Sequence, residues 1–281
     1  MYIELKNKDR RLLLTKAKEK LNCNWEGLAK FLKVNRSMLF FYLSGHSRIP
    51  QDKFNKLVEL TKLKAIKFTT KSRGKEIILP KESRELIEFL GILAGDGHIN
   101  NISYEITITG HRKLDYNFLV LFVKPLIKKL FGLQPYIVEK NNVIYCRTYS
   151  KKLVDFLHSK YKVPIGKKKN KLRIPSMLID SKDLKYYLRG LFDTDGCISR
   201  HHKNSVYLEI SSKTPLFLKD IRKGLLSFDF HPYLSKKSVI LYRKDEIDKF
   251  FKFIKPRNNK HLERYSIYKK IGYIPKEAAV V

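Results

Sequence analysis

The spacing of apolar positions changes character along the chain, and that change divides it. Over residues 8–63, apolar side chains recur at helical spacing with no β-branched alternation, which predicts short helices and no strand. From Glu82 onward, helices alternate with pairs of β-rich stretches. Residues 103–109 alternate with period two, 114–131 are helical, 136–149 read as a hairpin turning at Asn141-Asn142, and 151–161 are helical again. The same order then recurs as a strand at 206–211, a long helix at 216–228, a hairpin at 233–243 and a short helix at 245–254. A recurrence at about a hundred residues is too long for a solenoid and predicts two related halves around a pseudo-twofold axis.

Between the two textures, residues 61–83 hold Lys62, Lys64, Lys67, Lys71, Arg73, Lys75 and Lys81 with Gly74 and Pro80, the composition of a basic connector. The expected organisation is a small all-α domain over 1–64, a basic linker over 65–81, and repeats over 82–180 and 181–281. The expected fold class is α+β, a duplicated αββαββα unit preceded by the helical domain.

Each half opens with a helix that ends in Asp-Gly: Phe89-Leu-Gly-Ile-Leu-Ala-Gly-Asp96-Gly97 and Leu188-Arg-Gly-Leu-Phe-Asp-Thr-Asp195-Gly196. Gly91, Ala94 and Gly95 in one helix, and Gly190 and Thr194 in the other, are small residues at helical spacing, so the two helices should pack closely. Gly97 and Gly196 are expected to take the left-handed conformation that follows a helix end. A single Asp-Gly is a common helix stop, but two copies opening two similar halves point to chemistry. Each Asp then lies at the negative end of a helix dipole, beside a second carboxylate, and a shared cation would relieve both costs.

Charge sharpens this picture. Lys and Arg number 59 against 27 Asp and Glu, for a net charge of +32 spread over the whole chain. A folded body this basic is expected to meet a polyanion, and beside a phosphodiester a carboxylate-held Mg²⁺ or Mn²⁺ supports hydrolysis. Cys23, Cys146 and Cys197 are scattered and suggest neither disulfides nor a zinc site. No apolar run reaches the length of a membrane span and the N-terminus lacks a signal-like core, so a cytoplasmic protein is expected.

The paired motifs resemble those of monomeric, two-motif LAGLIDADG homing endonucleases, with the likeness running in element order over residues 82–275. The resemblance implies a saddle of antiparallel sheet laid across double-stranded DNA, with Asp96 and Asp195 as metal ligands and one strand cut per half. The motif's earlier acidic position is Ala94 in the first copy and Asp193 in the second. The family also places lysines near the metals; Lys168 and Lys260 occupy the comparable segments here. Some relatives keep a Gln at the end of a half's first long strand, where this chain reads Thr109-Gly110-His111 and Ser211-Ser212-Lys213.

On the strands, Ile106, Ile108, Leu208 and Ile210 are expected to face the core. Thr107, Thr109, Arg147, Tyr149 and Lys213 are then expected to face DNA, with Arg200 and Lys203 in a phosphate-gripping loop. In the first domain, Trp25 to Leu39 resembles the helix-turn-helix of phage-repressor-like proteins, with Arg36 and Ser37 opening the recognition helix. Lys33 stands there at the turn position usually given to Gly, and Phe40 and Phe41 stand where polar side chains are usual.

The expectation is therefore a site-specific, metal-dependent DNA endonuclease acting as a monomer, since both halves lie in one chain. Two other readings stay open: a DNA-binding regulator on a decayed nuclease fold, and a maturase that binds intron RNA. The chain starts Met1-Tyr2 and ends Ala278-Ala279-Val280-Val281, without a terminal nucleophile or a His-Asn pair, so a protein-splicing element is not expected.

Overall fold

A computed structural model describes residues 1–63, 66–71, 77–202 and 205–275. The chain separates into two compact units, Met1–Lys75 and Glu76–Val281.

The first unit contains β1 (Tyr2–Leu5), α1 (Asn7–Lys20), α2 (Trp25–Phe31), α3 (Arg36–Ser44), β2 (Ile49–Pro50), α4 (Gln51–Thr61) and β3 (Phe68–Lys71). Asn24 and Asn35 cap α2 and α3 by accepting from the amides of Gly27 and Met38. Between those helices Lys33 takes φ 53°, the left-handed turn conformation that a Gly would adopt more cheaply. This unit is not all-α. β1 pairs antiparallel with both β2 and β3, and its Ile3 and Leu5 are buried in the helical core. The strands escaped the hydrophobic pattern because four alternating residues are too few to register a period. β3 also falls inside the expected connector 65–81: Phe68 packs on Phe54 at 4.9 Å between ring centroids, and Thr69-Thr70 extend the β-branched edge. Residues 64–65 and 72–76 of that connector lie outside the described residues.

The second unit repeats one plan twice. The first copy runs α5 (Arg84–Ala94), β4 (Gly97–Ile99), β5 (Glu105–His111), a π-helix (Phe118–Val123) continuing into α6 (Lys124–Phe131), β6 (Tyr136–Lys140), β7 (Val143–Tyr149) and α7 (Lys151–Tyr161). After the short α8 (Ser176–Ile179), the second copy runs α9 (Leu184–Asp195), β8 (Gly196–Arg200), β9 (Val206–Ser211), α10 (Pro215–Leu226), β10 (Tyr233–Leu234), β11 (Ser238–Leu241), α11 (Lys244–Phe253) and α12 (Asn259–Ile271). Each copy builds a four-stranded antiparallel sheet with the same neighbour order, β4-β5-β7-β6 and β8-β9-β11-β10. This is the duplicated α+β architecture expected from the sequence, including the hairpin turn at Asn141, which takes φ 54°.

The two copies share one apolar core, and α5 and α9 cross at its centre. The crossing requires glycine at two symmetric points. A Cβ on Gly91 would stand 2.1 Å from the Tyr187 carbonyl oxygen, and one on Gly190 would stand 2.1 Å from that of Glu88. A Cβ on Gly95 would likewise fall on the Thr194 hydroxyl, at 2.0 Å. Gly97 and Gly196 do not adopt the left-handed conformation expected of them; Gly196 is extended, at φ −84° and ψ 159°. They are small for a different reason, since a Cβ at either would meet the carbonyl of Leu93 or Phe192 within 2.4 Å as the chain doubles back into β4 or β8.

Gly91→Ala forces two backbones apart at this crossing and is expected to cost about 3 kcal/mol or more. Urea unfolding of the variant beside the parent measures it.

Candidate metal and nucleic-acid site

Helix packing delivers the two motif aspartates to one place. Asp195 is the last residue of α9, and Asp96 follows α5 by two residues, its carbonyl held by the Thr109 amide of β5 at 3.1 Å. Burial pushes both carboxyls up, Asp96 to about 6 and Asp195 to about 7. The negative charge of Asp96 adds to the rise at Asp195, while Lys168 and Lys260 oppose it. Lys260 exerts the stronger pull of the two lysines on Asp96, and Lys168 the stronger pull on Asp195. All four residues expected to carry chemistry are thus electrostatically coupled.

The lysines are held differently. Lys168 donates to three carbonyls, those of Leu93 and Ala94 at 2.9 Å and Gly95 at 2.7 Å, and so covers the negative end of α5. Its three N–H bonds are occupied by backbone, and burial lowers its pKa to about 8 against the pull of Asp195 and Asp96. Lys260 instead meets Asp115 at 2.9 Å in a nearly buried ion pair. Asp115 also accepts from the His111 amide at 2.8 Å and from Asn258 Nδ2 at 2.7 Å. Burial alone would raise Asp115, but Lys260 and these hydrogen bonds outweigh it and hold the carboxyl below its ordinary value.

Asp193, the earlier acidic position of the second motif, is not a ligand facing the cleft. It is 0% exposed, and its Oδ1 accepts from the amides of Arg257 and Asn258 at 2.8 and 3.0 Å. Burial raises it to about 7. It anchors the segment that carries Lys260, a role that its place in the motif did not reveal. Glu88 does related work between the halves, bound by Arg189 at 3.3 Å and Arg257 at 2.6 Å.

An open cleft of about 1120 Å³ lies beside Asp195 and Lys168, with Lys169, Lys213, Lys236 and Lys237 among its lining residues. Lys213 was expected to meet DNA; Lys236 and Lys237, in the β10–β11 turn, were not singled out. On the outer face of the first sheet, Arg147 lies 3.8 Å from Glu105 and over the Tyr145 ring, and Tyr149 is exposed. Thr107 shares that face but is only 6% exposed, and its hydroxyl donates to Glu105 at 2.6 Å, so it does not present the free DNA-facing group expected of it. Thr109 is half-buried at the end of the same row. Arg200 lies over Tyr273, 5.5 Å from the ring centroid, whereas Lys203 lies outside the described residues. Arg36 and Ser37 belong to the first unit, exposed on the opening turn of α3.

Among the described residues no group of three or more His, Cys, Asp and Glu side chains could hold a metal. The donor set fits a hard, hydrated cation rather than a caged one: Asp96 and Asp195 offer carboxylate oxygen, and such a cation would take its other ligands from water or phosphate. Burial is the main cause of both raised values, with Asp115 adding to the rise at Asp96 and Asp96 to the rise at Asp195.

These shifts fix the sign of a pH effect. Between the ordinary aspartate value near ~4 and about 6 to 7, the folded state binds more protons at these sites than the unfolded state does, so metal-free stability falls as pH rises through that window. Asp195→Asn is expected to be more stable than the parent at pH 8, on the order of 1–3 kcal/mol without divalent ions. Added Mg²⁺ should stabilise the parent at pH 8 and leave the variant nearly unmoved, as read by thermal melting.

A family model described as a LAGLIDADG-like domain matches residues 183–255. The replication factor C small subunit of Methanocaldococcus jannaschii is 35% identical over 157 residues, a match covering 55% of this chain and 8% of that subunit. This chain therefore spans only a small part of that relative's length. Among solved structures, the homing endonuclease I-DmoI in complex with DNA and Mn is similar at 16% identity and a TM-score of 0.45, covering 61% of this chain and 96% of that one. The meganuclease I-SmaMI bound to uncleavable DNA is similar at 13% identity and a TM-score of 0.46, covering 69% and 90%. The family-model match falls on the second copy, from α9 through α11, and includes Asp195.

Proposed function

We propose that the protein is a site-specific double-strand DNA endonuclease of the homing type, dependent on Mg²⁺ or Mn²⁺ and acting as a monomer. The observation that carries this reading is the pair of half-buried carboxylates, Asp96 and Asp195, delivered to one point by symmetric helices and both coupled to Lys168 and Lys260. Two related corners in one chain suit two strands, so a second copy is not needed. A net charge of +32 supplies a body that gains stability when phosphates neutralise it.

In this reading Asp96 and Asp195 hold the divalent ions. Such an ion, when bound, activates a water and stabilises the leaving oxygen of a phosphodiester. Lys168 and Lys260 keep positive charge at the corners where phosphate charge develops, Lys168 through the helix end that it covers and Lys260 from its ion pair with Asp115. Arg147, Tyr149 and Thr109 on the first sheet, and Lys213, Lys236 and Lys237 by the second, contact DNA, the charged ones gripping phosphate and the polar ones reading base edges. Arg36 and Ser37 on α3 read a further duplex segment, with Asn35 and Lys33 fixing the entry to that helix.

Incubating the protein with a randomised duplex-DNA library and Mg²⁺, then sequencing the cleaved ends, tests the reading. Defined double-strand breaks are expected, and they should vanish in Asp96→Asn/Asp195→Asn while DNA binding persists. Breaks that survive in the double variant, or an absence of breaks from the parent, would contradict it.

A further inference from the structure

The two corners of the site are not alike, and the difference lies outside both motifs. Asp115 stands at the start of the helical segment that leads from β5 into α6, where the Leu119 amide donates to its carbonyl. The duplication relates positions by 195 − 96 = 99 residues, so its counterpart is Thr214, whose carbonyl accepts from the Leu218 amide in the same way. Thr214 offers a hydroxyl, which takes the Asn170 amide at 3.3 Å. Asp115 offers a carboxylate, 6% exposed, that takes three donors: the His111 amide, Asn258 Nδ2 and Lys260 Nζ. One corner therefore has its lysine tied to a third carboxylate, while at the other corner Lys168 is tied only to helix carbonyls.

We propose that Asp115 is a positioning residue, fixing the Lys260 ammonium beside Asp96 and thereby setting the rate at which one of the two DNA strands is cut. The inference rests on the endonuclease reading of Asp96 and Asp195. A lysine on a four-carbon stem has many rotamers, and the neighbouring aspartate is far weaker as an anchor than a buried, three-fold hydrogen-bonded carboxylate. Asn258 makes the arrangement stiffer, because the Nδ2 that donates to Asp115 also donates to the Asp193 carbonyl at 2.9 Å, and the same asparagine caps α12. Asp115 thus ties the end of β5, the close of α9 and the start of α12 into one network around Lys260. Removing its carboxylate leaves a nearly buried ammonium without its anion and Asn258 Nδ2 with the Asp193 carbonyl as its remaining acceptor, and Lys260 is freed to turn toward solvent. Nothing in the hold on Lys168 passes through Asp115.

The test follows cleavage of a supercoiled plasmid carrying the selected target, with each strand labelled separately in Mg²⁺. Asp115→Ala is expected to slow one strand at least tenfold while the other is cut at close to the parent rate, so that nicked circles accumulate. The slowed strand should be the one slowed by Lys260→Ala, and Lys168→Ala should slow the opposite strand. Asp115→Asn, which keeps the shape and one oxygen acceptor, should recover part of the lost rate and guards against a simple folding failure. Equal slowing of both strands in the two Asp115 variants, or slowing of the strand that depends on Lys168, would overturn the positioning role. A parent that cuts neither strand would remove the endonuclease reading itself, an outcome distinct from either.

Discussion

The approach of α5 to α9 at Gly91 and Gly190 is the constraint on which the rest of the second unit depends. Each glycine lets the opposing helix present a backbone carbonyl where any side chain would stand. Backbones so close bring the two helix ends together, and with them Asp96 and Asp195. The same crossing joins the apolar faces of both copies into one core, so separating the helices would cost the site and the fold at once. A pair of carboxylates at the negative ends of two dipoles is an unfavourable arrangement by itself. Lys168 and Lys260 offset part of that cost, since both lower the carboxyl pKa of Asp96 and of Asp195.

Near-symmetry does not extend to the groups that support this centre. Ala94 and Asp193 occupy matched motif positions, as do Asp115 and Thr214, and in each pair only one member is acidic. The two acidic members meet the same residue from opposite sides, because Asn258 donates through its amide nitrogen to Asp193 and through Nδ2 to Asp115. The duplicated fold is thus symmetric at Asp96 and Asp195 but not in the groups that support them.

Much of this was legible in the sequence because it rests on local pattern. The 99-residue recurrence, the hairpin at Asn141-Asn142 and the small residues of the motif helices each carry a period or a turn chemistry that needs no tertiary information. What escaped did so for identifiable reasons. β1, β2 and β3 are each four residues or fewer, too short to stand out from a basic, mixed stretch. Gly97 and Gly196 were rightly singled out but wrongly explained, since a sequence shows that a position must be small without showing whether φ or a neighbouring carbonyl demands it. Asp115 gave no local signal at all, because the contact that defines it spans 143 positions and one of its partners is a backbone amide.

The central claim is that this helix crossing builds a divalent-cation site for phosphodiester chemistry. Anomalous diffraction from crystals grown with Mn²⁺ and a duplex bearing the selected target tests it most directly. The account predicts Mn²⁺ coordinated by Asp96 and Asp195 with a backbone phosphate oxygen completing the shell, and loss of those peaks in Asp96→Asn/Asp195→Asn. Manganese bound elsewhere on the protein, with the two aspartates protonated and facing each other across empty space or water, would contradict it.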